Sequence, residues 1–191
     1  MTKARLEAFS DGVIAILITI MVLELRAPQG AALSDLREVV PSILMYVLSF
    51  VLVGIYWVNH HHMIQAADKV NGAVLWANLH LLFWLSLIPF VTQWMGGNHY
   101  EALPTAMYGV VLVLAAVAYT ILQQTIVQAN GRDSTLARAI GGDRKGKISL
   151  AIYVVAIPLA FVNPRVSDVL YVIVALVWFI PDRRIERVIS D

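Results

Sequence analysis

The 191-residue sequence has no cysteine and few charged residues, and both shortages limit what the protein can be. Without cysteine the chain forms no disulfides, thiolate metal sites or cysteine nucleophiles. Charged residues make up 14% of the chain, against roughly 25% in an ordinary soluble domain. Lysine and arginine exceed aspartate and glutamate by only one, 14 against 13, so the chain lacks the basic surface that nucleic acids require. A soluble globule and a nucleic-acid partner are both disfavoured.

Long apolar runs, in contrast, are abundant. Hydrophobic residues make up 59% of the chain and its mean hydropathy is +0.73. Because about 20 apolar residues cross a bilayer, we predict an all-α integral membrane protein with six transmembrane helices, forming one domain over residues 1–191. The predicted spans lie at approximately residues 5–26, 37–64, 69–95, 102–130, 146–163 and 165–182.

Proline and helix length add detail to these spans. Pro41 fits the first turn of the second span, and Pro89 lies inside the third, where we expect a kink. The last two spans are joined at Asn163-Pro164-Arg165, which is typical of a tight turn. Each of these two is short, about 16 residues, and does not cover a ~30 Å hydrocarbon core by itself.

Basic residues are distributed unequally between the two sides of a six-span bundle. The N-terminus, the loops at 65–70 and 130–147 and the C-terminus share one side and hold all but three of the 14 lysines and arginines. The three on the other side are Arg26, Arg37 and Arg165. By the positive-inside rule, we expect a cell-membrane protein with both termini in the cytoplasm.

The first segment differs from the others because an ionisable residue adjoins its short apolar run. The run from Gly12 to Leu23 is bounded by Asp11 and Glu24. An intramembrane carboxylate normally faces protein or water rather than lipid. A signal peptide is the alternative interpretation, but Glu7 and Asp11 occur where a signal peptide is basic or apolar.

Helical geometry gives this segment two different faces. At about 100° per residue, Ser10 and Asp11 point roughly 120 to 140° away from an apolar face that carries a single hydroxyl. That apolar face comprises Phe9, Gly12, Ile16, Thr19, Ile20 and Leu23. We therefore expect Ser10 and Asp11 to hold the helix against its own bundle or a neighbour, and the apolar face to remain free for another surface.

The same segment carries a recognisable motif. Arg5-Leu6-Glu7-Ala8-Phe9-Ser10-Asp11 resembles the Arg-x-x-x-Phe-Ser-Asp signature of the transmembrane protein 175 family of potassium channels. Trp57-Val58-Asn59-His60, Ile88-Pro89-Phe90 and the six-span length support the resemblance. It implies a homotetramer in which the first helix of each subunit lines a central pore. The implied partners are further copies of the chain, membrane lipid and permeating potassium ions, with no cofactor and no resident metal.

The resemblance also implies roles for the apolar face. By position, Ile16 forms the narrowest hydrophobic ring, Thr19 a hydroxyl ring one turn outward, and Leu23 a second apolar constriction. An apolar ring supplies no oxygens to replace a cation's hydration shell, so a narrow one gates by dewetting. Thr19 supplies oxygens, and which of Ile16 and Thr19 dominates selectivity stays open. We expect a potassium-selective cation channel that conducts passively through a hydrophobic constriction.

A proton-permeable channel or an ion-coupled secondary transporter is the alternative function. A transporter is typically built from internal repeats, and no repeat is visible in this sequence. An enzyme is not expected, because no Ser/His/Asp set, paired carboxylates or HExxH motif occurs.

Finally, the resemblance implies a structural network around the first-helix motif: Arg5, Phe9, Ser10, Asp11, Trp57 and His60. A buried carboxylate is tolerated when it accepts hydrogen bonds or pairs with a cation, and a proton relay through Asp11 is the alternative role.

Three further histidine and amide features have a plain interpretation. His60-His61-His62 invites a metal site, but consecutive helical side chains point about 100° apart and cannot share one ion. Asn78 and His80 in the third span are expected to be buried hydrogen-bonding residues between helices.

Overall fold

The structure is a computed structural model that describes residues 2–131, 133–140 and 143–179. Over these residues the chain forms α-helices and no strand, which confirms the all-α fold class for the described part. The helices are α1 (Lys3–Leu23), α2 (Leu33–Gln65), α3 (Gly72–Ser86), α4 (Ile88–Gly97), α5 (Ala102–Asn130), α6 (Thr135–Ile140), α7 (Arg144–Leu159) and α8 (Pro164–Phe179).

Four segments of the described chain are long and apolar enough to cross a membrane by length and composition. They are α1, α2, the α3 and α4 pair taken together, and α5. Helices α7 and α8 have 16 residues each, so each is about 24 Å long at 1.5 Å per residue. That length is below the ~30 Å hydrocarbon core, so the six-span architecture stays a prediction. The end of the predicted span 165–182 lies outside the described residues.

Two prolines test the predicted helix boundaries: Pro89 lies at an observed boundary, and Pro41 does not. Pro89 has no N–H, and its ring crowds the carbonyl one turn earlier. The third span accordingly breaks into α3 and α4, with Leu87 between them. The sequence prediction placed Pro41 in the first turn of its helix, and this is wrong. Pro41 lies well inside α2, because α2 begins at Leu33.

Helix α5 is the centre of the bundle and packs against α3, α4, α7 and α8. Its contact with α8 depends on Gly109, because a Cβ at this position would overlap the hydroxyl of Tyr171. That hydroxyl donates to the Thr105 carbonyl oxygen at 3.0 Å. A small residue therefore lets two helices approach closely, as is common between membrane helices.

A buried polar cluster joins α2, α4 and α5. Thr92 Oγ1 donates to Ser49 Oγ at 2.7 Å, and Ser49 Oγ lies 2.9 Å from Tyr108 Oη. Each hydroxyl finds a partner inside the protein, which removes the cost of burying it.

Helix α1 packs on only one side. It contacts α2, α3 and α4 and leaves the rest of its circumference uncovered in the isolated chain. The predicted pore residues Ile16, Thr19 and Leu23 lie on the uncovered side.

Candidate pore helix and its anchoring network

One face of α1 is exposed, and it is the apolar face that the helical geometry predicts. Ile16 is 57% exposed and Leu23 is 81% exposed, and Gly12 and Thr19 are exposed as well. The opposite face is buried against the bundle and comprises Leu6, Ser10, Ile14, Leu17 and Met21. The direction predicted for Ser10, into the protein, is therefore the direction observed.

On the exposed face, the hydroxyl oxygen of Thr19 lies between the apolar side chains of Ile16 and Leu23 along the helix axis. At 1.5 Å per residue, Thr19 lies about 4.5 Å and Leu23 about 10 Å beyond Ile16 along the helix axis. Thr19 Oγ1 donates its proton to the Ile16 carbonyl oxygen at 2.8 Å. Because that proton is engaged within the helix, the free lone pairs of the hydroxyl oxygen are left to accept from water or to contact a cation.

Three contacts tie the first half of α1 to the end of α2, and we call them the α1–α2 ladder. Lys3 Nζ donates to the Gln65 carbonyl oxygen at 2.6 Å, and His61 Nδ1 lies 2.8 Å from Glu7 Oε1.

The third contact of the ladder is the hydrogen bond from Trp57 Nε1 to Asp11 Oδ1, at 2.9 Å. The ladder residues recur every four positions on α1 and, in reverse order, every four positions on α2. This register is that of two antiparallel helices meeting along one face of each.

A second set of hydrogen bonds lies inside the bundle, and we call it the Ser10–Asn78–His60 chain. All three residues are fully buried. Ser10 Oγ lies 2.9 Å from the Leu6 carbonyl oxygen, Asn78 Nδ2 lies 3.0 Å from Ser10 Oγ, and His60 Nε2 lies 2.7 Å from Asn78 Oδ1. The chain joins α1, α3 and α2.

The donors and acceptors of this chain determine one another. The Leu6 carbonyl accepts only, so Ser10 donates to it and must accept from the Asn78 amide. The amide oxygen of Asn78 then faces His60, whose Nε2 must carry a proton and donate. His60 Nδ1 is buried and has no hydrogen-bond partner among the described residues. The network therefore holds His60 as the neutral tautomer protonated at Nε2.

The structure brings together four of the six residues predicted for the network. Ser10 and Asp11 both contact other helices, and Trp57 of α2 is the partner of Asp11. His60 belongs to the network too, but it contacts Asn78 rather than Asp11. Through Asn78, whose amide contacts Ser10, His60 connects to the first-helix motif.

The remaining two network residues face outward. Arg5 is exposed and forms no ion pair with any residue that the structure describes, and Phe9 is 49% exposed on the same face of α1 as Ile16. A subunit by itself therefore leaves Arg5 and Phe9 available to other surfaces.

Sequence reasoning missed several members of these contacts. Lys3, Glu7 and His61 were not singled out as network residues, although Glu7 and His61 each lie four positions from Asp11 or Trp57, and Lys3 lies four positions from Glu7. Asn78 is a buried hydrogen-bonding residue between helices, as predicted. His80 is not buried: it is exposed and accepts from Trp84 Nε1 at 2.9 Å within α3.

The histidine run does not converge on one point. His60 contacts Asn78, whereas His61 contacts Glu7. Over residues 2–131, 133–140 and 143–179, no three metal-ligating side chains are grouped as a metal site requires.

A chain whose described residues are mainly helical, with several helices long and apolar enough to cross a membrane, is a multi-pass membrane protein. Comparison with known proteins narrows this class. A family model described as the endosomal/lysosomal potassium channel TMEM175 matches residues 5–89. A potassium channel of Chryseobacterium sp. (strain P1-3) is 51% identical over 191 residues, covering all of both chains.

Two further relatives extend the comparison. The crystal structure of a lysosomal potassium-selective channel TMEM175 homologue from Chamaesiphon minutus superimposes with a TM-score of 0.84 at 26% identity, covering 94% of this chain and 97% of that one. The endosomal/lysosomal proton channel TMEM175 of Gallus gallus is 31% identical over 105 residues, which is 49% of this chain and 21% of that protein. The chain belongs to the TMEM175 family.

Proposed function

We propose that the protein is a potassium-selective channel in which four copies of the chain surround a central pore lined by α1. The observation that carries the proposal is the exposed α1 face, on which a hydroxyl oxygen stands between two large apolar side chains. Family membership and the identity of the Chryseobacterium and Chamaesiphon relatives as potassium channels support potassium as the permeant ion. The function is passive conduction, with Ile16, Thr19 and Leu23 as the pore residues.

The exposed face accounts for both a barrier and a preference among ions. Ile16 and Leu23 carry no oxygens, so rings of these side chains exclude a hydrated cation until they widen. Thr19 offers one oxygen per subunit between them. In a fourfold assembly the Thr19 ring supplies oxygens that replace part of the hydration shell as an ion passes.

The ladder and the Ser10–Asn78–His60 chain orient this face. Both bind the bundle side of α1, and a helix held on that side presents Ile16 and Thr19 away from its own subunit. In this proposal Asp11 holds α1 in place and does not relay protons. Its partner Trp57 has an indole N–H that donates a hydrogen bond but does not accept a proton.

The alternative is proton permeation, which is favoured by the similarity to the Gallus gallus proton channel. The proposed pore positions contain no titratable side chain, so protons would cross Ile16 only along a water file. Measuring potassium flux and proton flux separately distinguishes the two functions.

The test is ion flux through purified protein in liposomes under a potassium gradient, with sodium and proton gradients in parallel. Ile16→Asn places a polar group at the proposed barrier, and we expect it to raise flux and reduce the preference for potassium over sodium. Val22→Asn is the matched control, because Val22 is also exposed on α1 but points roughly 120° away from Ile16.

Each result has a clear meaning. Potassium-selective flux that only Ile16→Asn makes less selective supports the proposal. Unchanged flux and selectivity in Ile16→Asn would remove Ile16 from the pore, and proton flux without potassium flux would replace the proposed ion. Slow, saturable exchange would point to a transporter instead.

A further inference from the structure

A groove of about 880 Å³ lies between α2 and α8, and none of its lining residues belongs to α1. Its volume is within the range of ordinary small-molecule sites. One end is polar and is lined by His99, Tyr100, Asn163, Arg165 and Asp168. Beyond that end the lining is mainly aliphatic and aromatic, and it continues along α8 as far as Phe179. The groove is therefore amphipathic along its length.

The length of the groove matches one leaflet of a bilayer. The polar end adjoins the α7–α8 turn, and from Asp168 to Phe179 the helix rises about 16 Å. Half of a ~30 Å hydrocarbon core is about the same distance. With α8 crossing the membrane as predicted, the polar end lies at head-group level and the apolar part lies among the acyl chains.

Two opposite charges at the polar end lack partners within the described part of the chain. Asp168 Oδ1 is buried without a hydrogen-bond partner, and neither Asp168 nor Arg165 forms an ion pair there. The nearby hydroxyl of Tyr100 donates to the Pro41 carbonyl oxygen at 2.9 Å instead. Burial raises the pKa of Tyr100, and the charge of Asp168 adds to the rise, so this phenol stays neutral.

Unpaired charges at the edge of an apolar groove need compensation from outside the chain. A carboxylate next to hydrocarbon is costly unless a cation or hydrogen-bond donor meets it. Arg165 and Asp168 are three residues apart on α8, so they occupy neighbouring positions on one helix face. A ligand that matches both must carry an anion and a cation close together and an apolar tail.

We propose that this groove binds a phospholipid with a primary ammonium head group, phosphatidylethanolamine. The phosphate contacts Arg165, the ammonium group donates to Asp168, and one acyl chain fills the groove toward Leu176 and Phe179. A guanidinium is well suited to phosphate, and charge-assisted hydrogen bonds are the stronger kind. A primary ammonium has three N–H donors, whereas the trimethylammonium of phosphatidylcholine has none, so the site discriminates between the two lipids.

The absence of native cysteine makes a direct test possible. Leu176→Cys, on the groove, is labelled with an environment-sensitive fluorophore in the full-length protein. The labelled protein is reconstituted with equal mole fractions of brominated phosphatidylethanolamine or brominated phosphatidylcholine as quencher. Val154→Cys is the matched control site, because Val154 is half-exposed on α7 and outside the groove.

At position 176 we expect the ethanolamine lipid to bind about three- to fivefold better than the choline lipid, measured by quenching of the fluorophore. At position 154 we expect the two lipids to quench equally. Asp168→Asn keeps the shape of the groove and removes the charge, so it abolishes the preference. Glu101→Gln, which removes an exposed acid outside the groove lining, leaves the preference intact.

Three results would overturn the assignment. Equal quenching by both lipids would mean that the head group is not recognised, and a preference that survives Asp168→Asn would place recognition elsewhere. No quenching at position 176 by either lipid would mean that a second copy of the chain covers the groove. Because the assay measures no ion flux, its outcome is independent of the proposed conduction.

Discussion

The Ser10–Asn78–His60 chain is expected to hold α1 to the bundle through Asn78. Asn78→Leu replaces the amide by an apolar group of similar size, so it removes two hydrogen bonds without opening a large cavity. Side-chain hydrogen bonds between membrane helices contribute about 0.6 kcal/mol on average and up to about 1.7 kcal/mol. Two such bonds, at 2.7 and 3.0 Å, predict that Asn78→Leu lowers the free energy of unfolding by about 1 to 3 kcal/mol.

A double-mutant cycle isolates the bond that crosses from α3 to α1. Ser10→Ala removes the acceptor of Asn78 Nδ2, so the effects of Ser10→Ala and Asn78→Leu should overlap by about 0.6 to 1.7 kcal/mol. Unfolding is followed by tryptophan fluorescence in mixed micelles of mild and denaturing detergent. Protein concentration is held fixed, because the stability of an oligomer depends on it.

The control cycle pairs Ser10→Ala with Thr92→Val. Thr92 belongs to the separate Ser49 and Tyr108 cluster, so these two effects should add to within about 0.5 kcal/mol. Additive effects of Ser10→Ala and Asn78→Leu would refute the argument, because the hydrogen bond between them would then contribute nothing to holding α1.

Further predictions concern the ladder, the hydroxyl ring and the packing of α5. Asp11→Asn keeps an oxygen for Trp57 Nε1 and should preserve the proposed tetramer, whereas Asp11→Leu should cost about 1.5 to 3 kcal/mol and reduce the yield of that tetramer in size-exclusion chromatography; an unchanged assembly with altered pH dependence in Asp11→Asn would favour a proton relay. Thr19→Val should lower the potassium-to-sodium permeability ratio about two- to tenfold in reversal-potential measurements, and an unchanged ratio would assign selectivity elsewhere. Gly109→Ala should destabilise the protein by about 1 to 3 kcal/mol through overlap with α8, while Gly54→Ala, whose Cβ meets no atom within 4 Å, should not; equal stability of the two variants would contradict the close α5–α8 contact.

Properties that belong to one helix were predictable from the sequence. Apolar length located α1, α2 and α5, and the missing N–H of Pro89 located the break between α3 and α4. The 100° period separated Ser10 on the buried face from Ile16 on the exposed face. These predictions succeed because run length, proline chemistry and helical period act within one segment and need no knowledge of its neighbours.

Contacts between helices were predictable only in part. The resemblance implied that Trp57 and His60 both belong to the network, but the contact of His60 depends on how α3 docks against α2, and that docking is set by buried side chains along both helices. Asn78 was recognised as polar within an apolar span, yet nothing local states which two groups its amide joins. The start of α2 was predicted too late, because Leu33 to Leu36 extend the helix ahead of the apolar run by which the span was recognised.

The two halves of α1 are attached to the bundle by different kinds of contact, polar in the first half and apolar in the second. Among the described residues, the polar side-chain contacts of α1 to the bundle come from Lys3, Glu7, Ser10 and Asp11, while the half that carries Ile16 packs there through the buried apolar side chains of Ile14, Leu17 and Met21. Hydrogen bonds and ion pairs have narrow geometric limits, whereas apolar contacts are non-directional.

Movement that widens a pore at Ile16 is therefore easiest in the second half of α1. Gly12 lies at the junction of the two halves, and a Cβ there would meet no atom of the subunit within 4 Å. Glycine at this junction weakens the helix by roughly 0.5 to 1 kcal/mol relative to alanine, which lowers the cost of bending there. In the proposed pore, the anchored half would keep α1 attached to its bundle during such a movement, while the apolar half opens and closes the proposed barrier at Ile16.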